Sequence, residues 1–451
     1  MDGLDEAERA RQLAEELGAR GVNAVALTWV DNAGIARVKA VPTERLVDAV
    51  IRGVGMSPVF DVFVVDDSIT TSTHIGGPVG DLRLFPDLNR LTPLVAQPGW
   101  AWAAADRRTQ EGEPYAADQR RFASRLVEQA AAAGLAFRMA FEVEWFVGRD
   151  EGDGTTPACA GPAYGMIRVV ELSGYVRDVL AALAGEGVPV DQFHPEYAPG
   201  QLELSVAAAD PVAAADRLVL VKQTIRAVAQ THGLRASFAP VVVAGQVGNG
   251  CHLHLSAWSE GRNLFAGGDG PHGLSRRGES VVAGLLDHLP ALSAIGAPSV
   301  ASYLRMVPQH WAGAYQCWGR ENREAAIRLI AGTPGFADWS ANIELKCVDA
   351  SANPYLVVGA VVAVAITTVD EGLRLPPEVT TDPASLRPEL QPPRLPVSLG
   401  ESVDRLARDR VLAAALGDEL REAFLAVRRA EIDLFAGKAD EQIVAATRWK
   451  H

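Results

Sequence analysis

Five short stretches of this sequence set charged or imidazole side chains two residues apart. MAFEVEWF carries Glu142 and Glu144, GQLELS carries Gln201, Glu203 and Ser205, and CHLHLS carries His252, His254 and Ser256. NIELK adds Asn342, Glu344 and Lys346, and REAAIRLI adds Glu324, Ala326 and Arg328. Alternate side chains of a strand share a face, so each series reads as one polar face opposite an apolar one. Any half-buried strand alternates in this way, and a single pair such as Glu142 and Glu144 is more often a solvated face than a site. The set carries more weight, because these strands fall among strongly apolar helices where polar faces should be covered. Glu142, Glu144, Glu203 and Glu344 would then converge on one cavity with His252 and His254, and Glu196 of FHPEYAPG, just before GQLELS, can join them. So many carboxylates cannot all stay ionised in a confined space without compensating positive charge. Divalent cations are the economical solution, and oxygen-rich ligation with one or two imidazoles suits Mg²⁺ or Mn²⁺ better than Zn²⁺. Arg305, Arg320, Arg323 and Arg328 follow in one segment, and arginines beside a metal cluster suggest a polyphosphate substrate.

The elements that must position these residues fall into two units. Residues 1–110 read as a small α+β unit: a helix near 5–18, a strand at 23–30, a turn at Asp31 to Gly34, a second strand at 35–40, a helical TERLVDAVI, then short extended pieces. The polar stretch 106–115 contains Gly and Pro and marks the boundary. Residues 111–451 alternate helices (118–133, 171–186, 210–232, 279–289, 354–371) with strands (137–147, 201–206, 236–243, 251–258, 324–330, 342–348). A proline-rich link follows at 376–396, and helices over 400–436 close the chain.

Composition narrows the class. Of 451 residues, 48% are apolar and 22% charged, which excludes a mostly disordered chain. The formal charge of −14, with no basic stripe, argues against nucleic-acid binding. Cys159, Cys251, Cys317 and Cys347 form no C-x-x-C pair and suggest neither a disulfide framework nor a zinc site. The N-terminus reads as an acidic amphipathic helix, and the longest apolar run, 356–366, is too short to span a bilayer. These features predict a soluble, cytoplasmic protein without a membrane partner.

The ordered series FEVEWF, HPEY…GQLELS, GNGCHLHLS, LRMVP, ENREAAIR, NIELK and DASANPYL resembles the glutamine synthetase family over nearly the whole chain, with a D-x-x-x-x-P-D element at Asp81 to Asp87. The resemblance implies an α+β fold: a small N-terminal β-grasp domain and a larger catalytic domain with a curved antiparallel sheet and helices. It implies a homo-oligomer, a dodecamer of two hexameric rings with sites shared between neighbours. It also implies ATP as co-substrate and two or three Mg²⁺ or Mn²⁺ per site. By resemblance, Glu144, Glu196 and Glu203 match ligands of one metal, and Glu142, His252 and Glu344 those of another. Gly248 and Arg305 match glutamate-holding positions, His254 and Ser256 nucleotide contacts, and Arg323 and Arg328 the arginines of phosphoryl transfer. The family's amine-deprotonating Asp aligns with VVDDSI, where Asp66 and Asp67 are both candidates.

The chain also departs from the family. The flap P-G-Y-E-A-P becomes Pro308 to Gly313, with Trp311 in place of a Glu that helps hold ammonium, and the substrate-holding Arg of I-E-x-R becomes Lys346. These departures are similar to the γ-glutamylpolyamine synthetase branch, whose substrates are putrescine, cadaverine, spermidine and spermine. A Trp can line an amine channel and face a cation, although it can equally just pack the flap. The alternatives are ammonium-using glutamine synthesis, γ-glutamylation of ethanolamine or another monoamine, and a non-catalytic sensor.

Overall fold

The computed structural model describes residues 2–451, with side chains from Asp5 onward. The N-terminal unit begins with a helix, Asp2–Ala19. Its strands are β1 (Ala24–Val30), β2 (Ala36–Pro42), β3 (Val54–Met56), β4 (Leu82–Pro86), β5 (Thr92–Pro93) and β6 (Trp100–Arg108). They form one sheet in the order β2-β1-β6-β4-β3, with β5 also on β6. Strands β1 and β6 run parallel, whereas β1 and β2 make an antiparallel hairpin across the expected Asp31–Gly34 turn. The Asp31 carboxylate accepts the Ala33 and Ile35 amides and so closes that turn. The turn docks on the second unit: Asn353 Nδ2 donates to the Val30 and Asp31 carbonyls at 2.9 and 3.2 Å. At Gly34, φ +76, a Cβ would lie 1.8 Å from the Ser351 carbonyl oxygen, so only glycine permits this approach.

The second unit is built on a curved sheet of β7 (Leu135–Arg149), β8 (Val190–Pro195), β9 (Gln201–Val206), β10 (Leu234–Ser237), β11 (Cys251–Ser259), β12 (Arg262–Asn263), β13 (Tyr315–Arg320), β14 (Ala325–Ile330) and β15 (Asn342–Leu345). The order is β13-β14-β15-β11-β7-β9-β8. Neighbours are antiparallel except β13 and β14, which pair in parallel. Helices back this sheet, among them Pro211–Thr231 and the strongly apolar Pro354–Thr368, the buried helix expected at 354–371. Among the described residues no helix is long and apolar enough to cross a membrane.

Several elements differ from expectation. The strand expected over 236–243 ends at Ser237, since Pro240 and a run of turns take over. The strand expected over 342–348 ends at Leu345, and that at 324–330 starts at Ala325, leaving Lys346 and Glu324 just outside the ladder. The helix at 171–186 is two, Met166–Glu171 and Ser173–Gly185, and that at 279–289 extends over Arg276–Gly296. Strands β8 and β13 and the helix Asp440–Thr447 were not anticipated.

Candidate active site

The predicted acidic faces do meet, and strand register explains how. Glu142 on β7 pairs with His252 on β11, Glu144 on β7 with Glu203 on β9, and Glu344 on β15 with both His254 on β11 and Arg328 on β14. These strands thus bring polar side chains to one side of the sheet, at a cavity of about 870 Å³ that buried Glu344 itself does not line. Glu142, Glu144, Glu196, Glu203, Gly248, His252, Arg305, Trp311, Arg323, Arg328 and Lys346 all line it.

The carboxylates divide into two groups. In the inner one, His252 Nδ1 lies 3.1 Å from both Glu142 Oε1 and Glu344 Oε1. Lys346 Nζ reaches Glu344 Oε1 at 3.0 Å and Arg328 reaches Oε2 at 3.2 Å. Burial opposes ionisation of Glu344, but the Lys346 and His252 charges hold its pKa well below the usual carboxylate range. Burial acts likewise on Glu142, and the His252 hydrogen bond keeps it at about 2. His252, pressed downward by burial and by Lys346, is raised to about 9 by its two carboxylate partners.

The outer group is His194, Glu196 and Glu203. His194 Nε2 sits 2.9 Å from Glu203 Oε1, and that contact raises the imidazole to about 9. Here the carboxyls are pushed upward instead: Glu203 by burial and the charges of Glu142, Glu144 and Glu196, and Glu196 by burial and Glu144. Glu144 lies between the groups, 3.8 Å from His252 Nε2, and accepts the Gln201 side-chain amide at 2.8 Å. Gln201 also donates to the Gly248 carbonyl, and so ties β9 to the 248–250 turn. At Gly250 a Cβ would meet His252 Nε2 at 2.5 Å and Arg305 at 2.7 Å, so the turn must be bare for imidazole and guanidinium to meet.

These donors fit divalent cations. Each group offers oxygens and one imidazole with ligand atoms within 4.8 Å of one another, and the outer carboxyls crowd like charge that His194 only partly relieves. Buried Arg305 contacts His252 and the Lys346 carbonyl, yet its Nη1 has no partner, an orphaned cation suited to an anionic substrate.

Not every candidate reaches the cavity. His254 is held by Asn342 at 3.0 Å and Ser256 accepts the Trp258 indole N–H at 2.8 Å, both further along β11. Asp67 pairs with Arg37 at 2.8 Å and Asp66 with Ser68, and neither lines the cavity of its own chain. Sequence reasoning overlooked His194 and Tyr164, whose hydroxyl donates to Glu196 at 2.8 Å. His194 stands two residues before Glu196, the same spacing that singled out the other strands, but β8 was not recognised.

The two-unit architecture, the paired carboxylate clusters and the guanidinium rim together define a ligase fold, and the chain belongs to the glutamine synthetase family. Residues 9–115 match the glutamine synthetase N-terminal domain and residues 116–446 the glutamine synthetase catalytic domain. Family members are ATP-dependent enzymes that use divalent metals. The gamma-glutamylpolyamine synthetase GlnA3 of Streptomyces coelicolor is 55% identical over 453 residues, covering 99% of this chain and 97% of that protein. A glutamine synthetase of Pyrococcus abyssi is 32% identical over 326 residues, 71% of this chain and 72% of its own. Among solved structures, a novel glutamine synthase homolog superposes with a TM-score of 0.85 at 33% identity, covering 95% of this chain and 99% of that one. GmaS in complex with ADP gives 0.83 at 27%, covering 95% and 97%.

Proposed function

We propose that this enzyme joins the γ-carboxyl of glutamate to a linear polyamine such as putrescine, cadaverine, spermidine or spermine, with ATP converted to ADP and phosphate. The observation that carries this reading is Trp311, half exposed at the cavity mouth where ammonium-using relatives carry a carboxylate. Ammonium offers almost no apolar surface and needs a close carboxylate cage. A diamine can lay its methylenes on the indole and its distal ammonium near the ring face, worth about 0.5–2 kcal/mol. Arg323 stands 6.0 Å over one face of the ring, which leaves the other for substrate. The 55% identity to a gamma-glutamylpolyamine synthetase supports the same reading.

Glu142, His252 and Glu344 would hold one Mg²⁺ or Mn²⁺, and Glu144, Glu196 and Glu203 another, with His194 beside it. Bound metal supplies Lewis-acid stabilisation of phosphate and carboxylate charge. Arg305 and Lys346 fit the glutamate carboxylates, with Gly248 bordering them; His254 and Ser256, nucleotide candidates by family resemblance, lie further along β11 outside the cavity lining. Arg323 and Arg328 neutralise charge on the phosphoryl group as it passes from ATP to the γ-carboxylate. The amine nitrogen then attacks the acyl carbon of γ-glutamyl phosphate, and phosphate leaves. Its proton needs a base, and Asp66 or Asp67 of a neighbouring subunit fits that role, because neither faces its own cavity. That requirement favours a large ring-shaped homo-oligomer, a dodecamer by family analogy. A fully active monomer in light scattering would contradict it. The N-terminal unit is taken as residues 1–110 and the catalytic unit as 111–451, and a cytoplasmic location fits the free cysteines.

The test is phosphate release with ATP, Mg²⁺ and glutamate across ammonium, putrescine, longer polyamines, ethanolamine and an arylamine. Turnover should rise from ammonium to the polyamines. Activity only with ethanolamine or an arylamine would keep the ligase and discard the polyamine. No turnover with any amine would point to a sensor.

A further inference from the structure

The flap bearing Trp311 has a backbone that its sequence does not favour. Gln309 and Trp311 both have left-handed φ, +64° and +52°, and Gly313 follows at +67°. For Gly313 this is the ordinary use of glycine. For a glutamine and a tryptophan it is strained, and the surroundings must hold it. Glu324 is the restraint in view. Its Oε1 accepts the Trp311 amide at 2.8 Å, and the Gln309 amide faces the same carboxylate. Glu324 is itself fixed, because its amide donates to Asn322 Oδ1 at 3.0 Å while the Asn322 amide group binds the carbonyls of Val379 and Thr381. The side chain is 7% exposed, and its other oxygen, Oε2, is buried without a hydrogen-bond partner. A carboxylate is a costly choice for such a place, and burial pushes its pKa upward. What it gains there is the hydrogen bond from the Trp311 amide.

We propose that Glu324 is a positioning residue for amine selectivity: its carboxylate latches the strained Gln309–Trp311 flap and so sets the Trp311 indole at the cavity mouth. Glu324 touches no substrate; it acts through the orientation of Trp311. Gln309 adds a second tie through its side-chain amide to Asp382 at 3.1 Å, so loosening Glu324 leaves the flap attached but free to relax. The proposal rests on the assignment of Trp311 to the amine subsite.

The experiment is steady-state kinetics of Glu324→Gln, Glu324→Ala, Trp311→Ala and the double variant Glu324→Ala/Trp311→Ala, with KM measured separately for putrescine, ammonium, glutamate and ATP. Loss of a charge-assisted bond to a backbone amide should raise the putrescine KM about tenfold in Glu324→Ala. Glu324→Gln keeps one acceptor oxygen and should recover part of that loss. The KM values for glutamate and ATP, and kcat, should change by less than about threefold. On the Trp311→Ala background, Glu324→Ala should add nothing, because two residues acting through one contact are non-additive. Additive losses, an unchanged putrescine KM, or a uniform fall in kcat with every substrate would overturn the latch. If the unmodified enzyme prefers ammonium, the polyamine reading fails by itself, and the latch is judged by the same double-variant comparison on the ammonium KM.

Discussion

The inner and outer carboxylate groups are made of similar residues and behave differently. The inner group, Glu142, His252 and Glu344, stands on central strands with regular register, and Lys346, Arg328 and His252 neutralise its charge within the chain. The outer group, His194, Glu196 and Glu203, spans the irregular β8, the loop after it and β9, with one imidazole against several carboxyls. One is an ion network balanced within the chain; the other is a cluster of carboxyls with less internal compensation. Removing a ligand should therefore harm folding in the first case and chemistry alone in the second.

The largest effect is expected for Glu344→Ala. It leaves buried Lys346 without its carboxylate partner, whereas His252 keeps Glu142, and the unpaired buried cation should cost about 3 kcal/mol in denaturant unfolding of the metal-free protein. Turnover should fall about a hundredfold or more, with the nucleotide KM raised. Glu203→Gln should lose comparable glutamate-dependent turnover. Its metal-free stability should stay within about 1 kcal/mol of the parent, because relief of like-charge repulsion offsets the lost His194 contact. Equal destabilisation by both substitutions would erase the distinction. The mildest change should be His194→Asn. As a neighbour that orients Glu203, it should raise the Mg²⁺ concentration for half-maximal activity about tenfold. The nucleotide KM should remain unchanged; a shift there instead would assign His194 to the inner group.

The same contrast governs what could be read from the sequence. The inner group was legible because β7, β11 and β15 alternate cleanly, and a period of two fixes which residues share a face. Glu203 was legible for that reason on β9. His194 was not, because β8 is short, bulged between Val190 and Gln192, and mostly polar, so no apolar alternation announces it. The resemblance offered Asp66 and Asp67 as alternative candidates for the base that no local pattern singles out, since a contribution to a neighbour's site would leave no trace in one chain's periodicity. Glu324 was visible as a strand-face residue aligned with Arg328. Its contact with the flap depends on the conformation of Gln309 to Gly313, and positive φ at glutamine and tryptophan has no sequence signature.

If Trp311 faces the amine, the subsite selects a polyamine over ammonium. The most direct measurement is competition in one vessel: ATP, Mg²⁺ and glutamate with equal concentrations of putrescine and ¹⁵N-ammonium, and products quantified by mass spectrometry. The account predicts γ-glutamylputrescine in at least about tenfold excess over labelled glutamine, the ratio of the two kcat/KM values. Labelled glutamine equal to or exceeding γ-glutamylputrescine would contradict it.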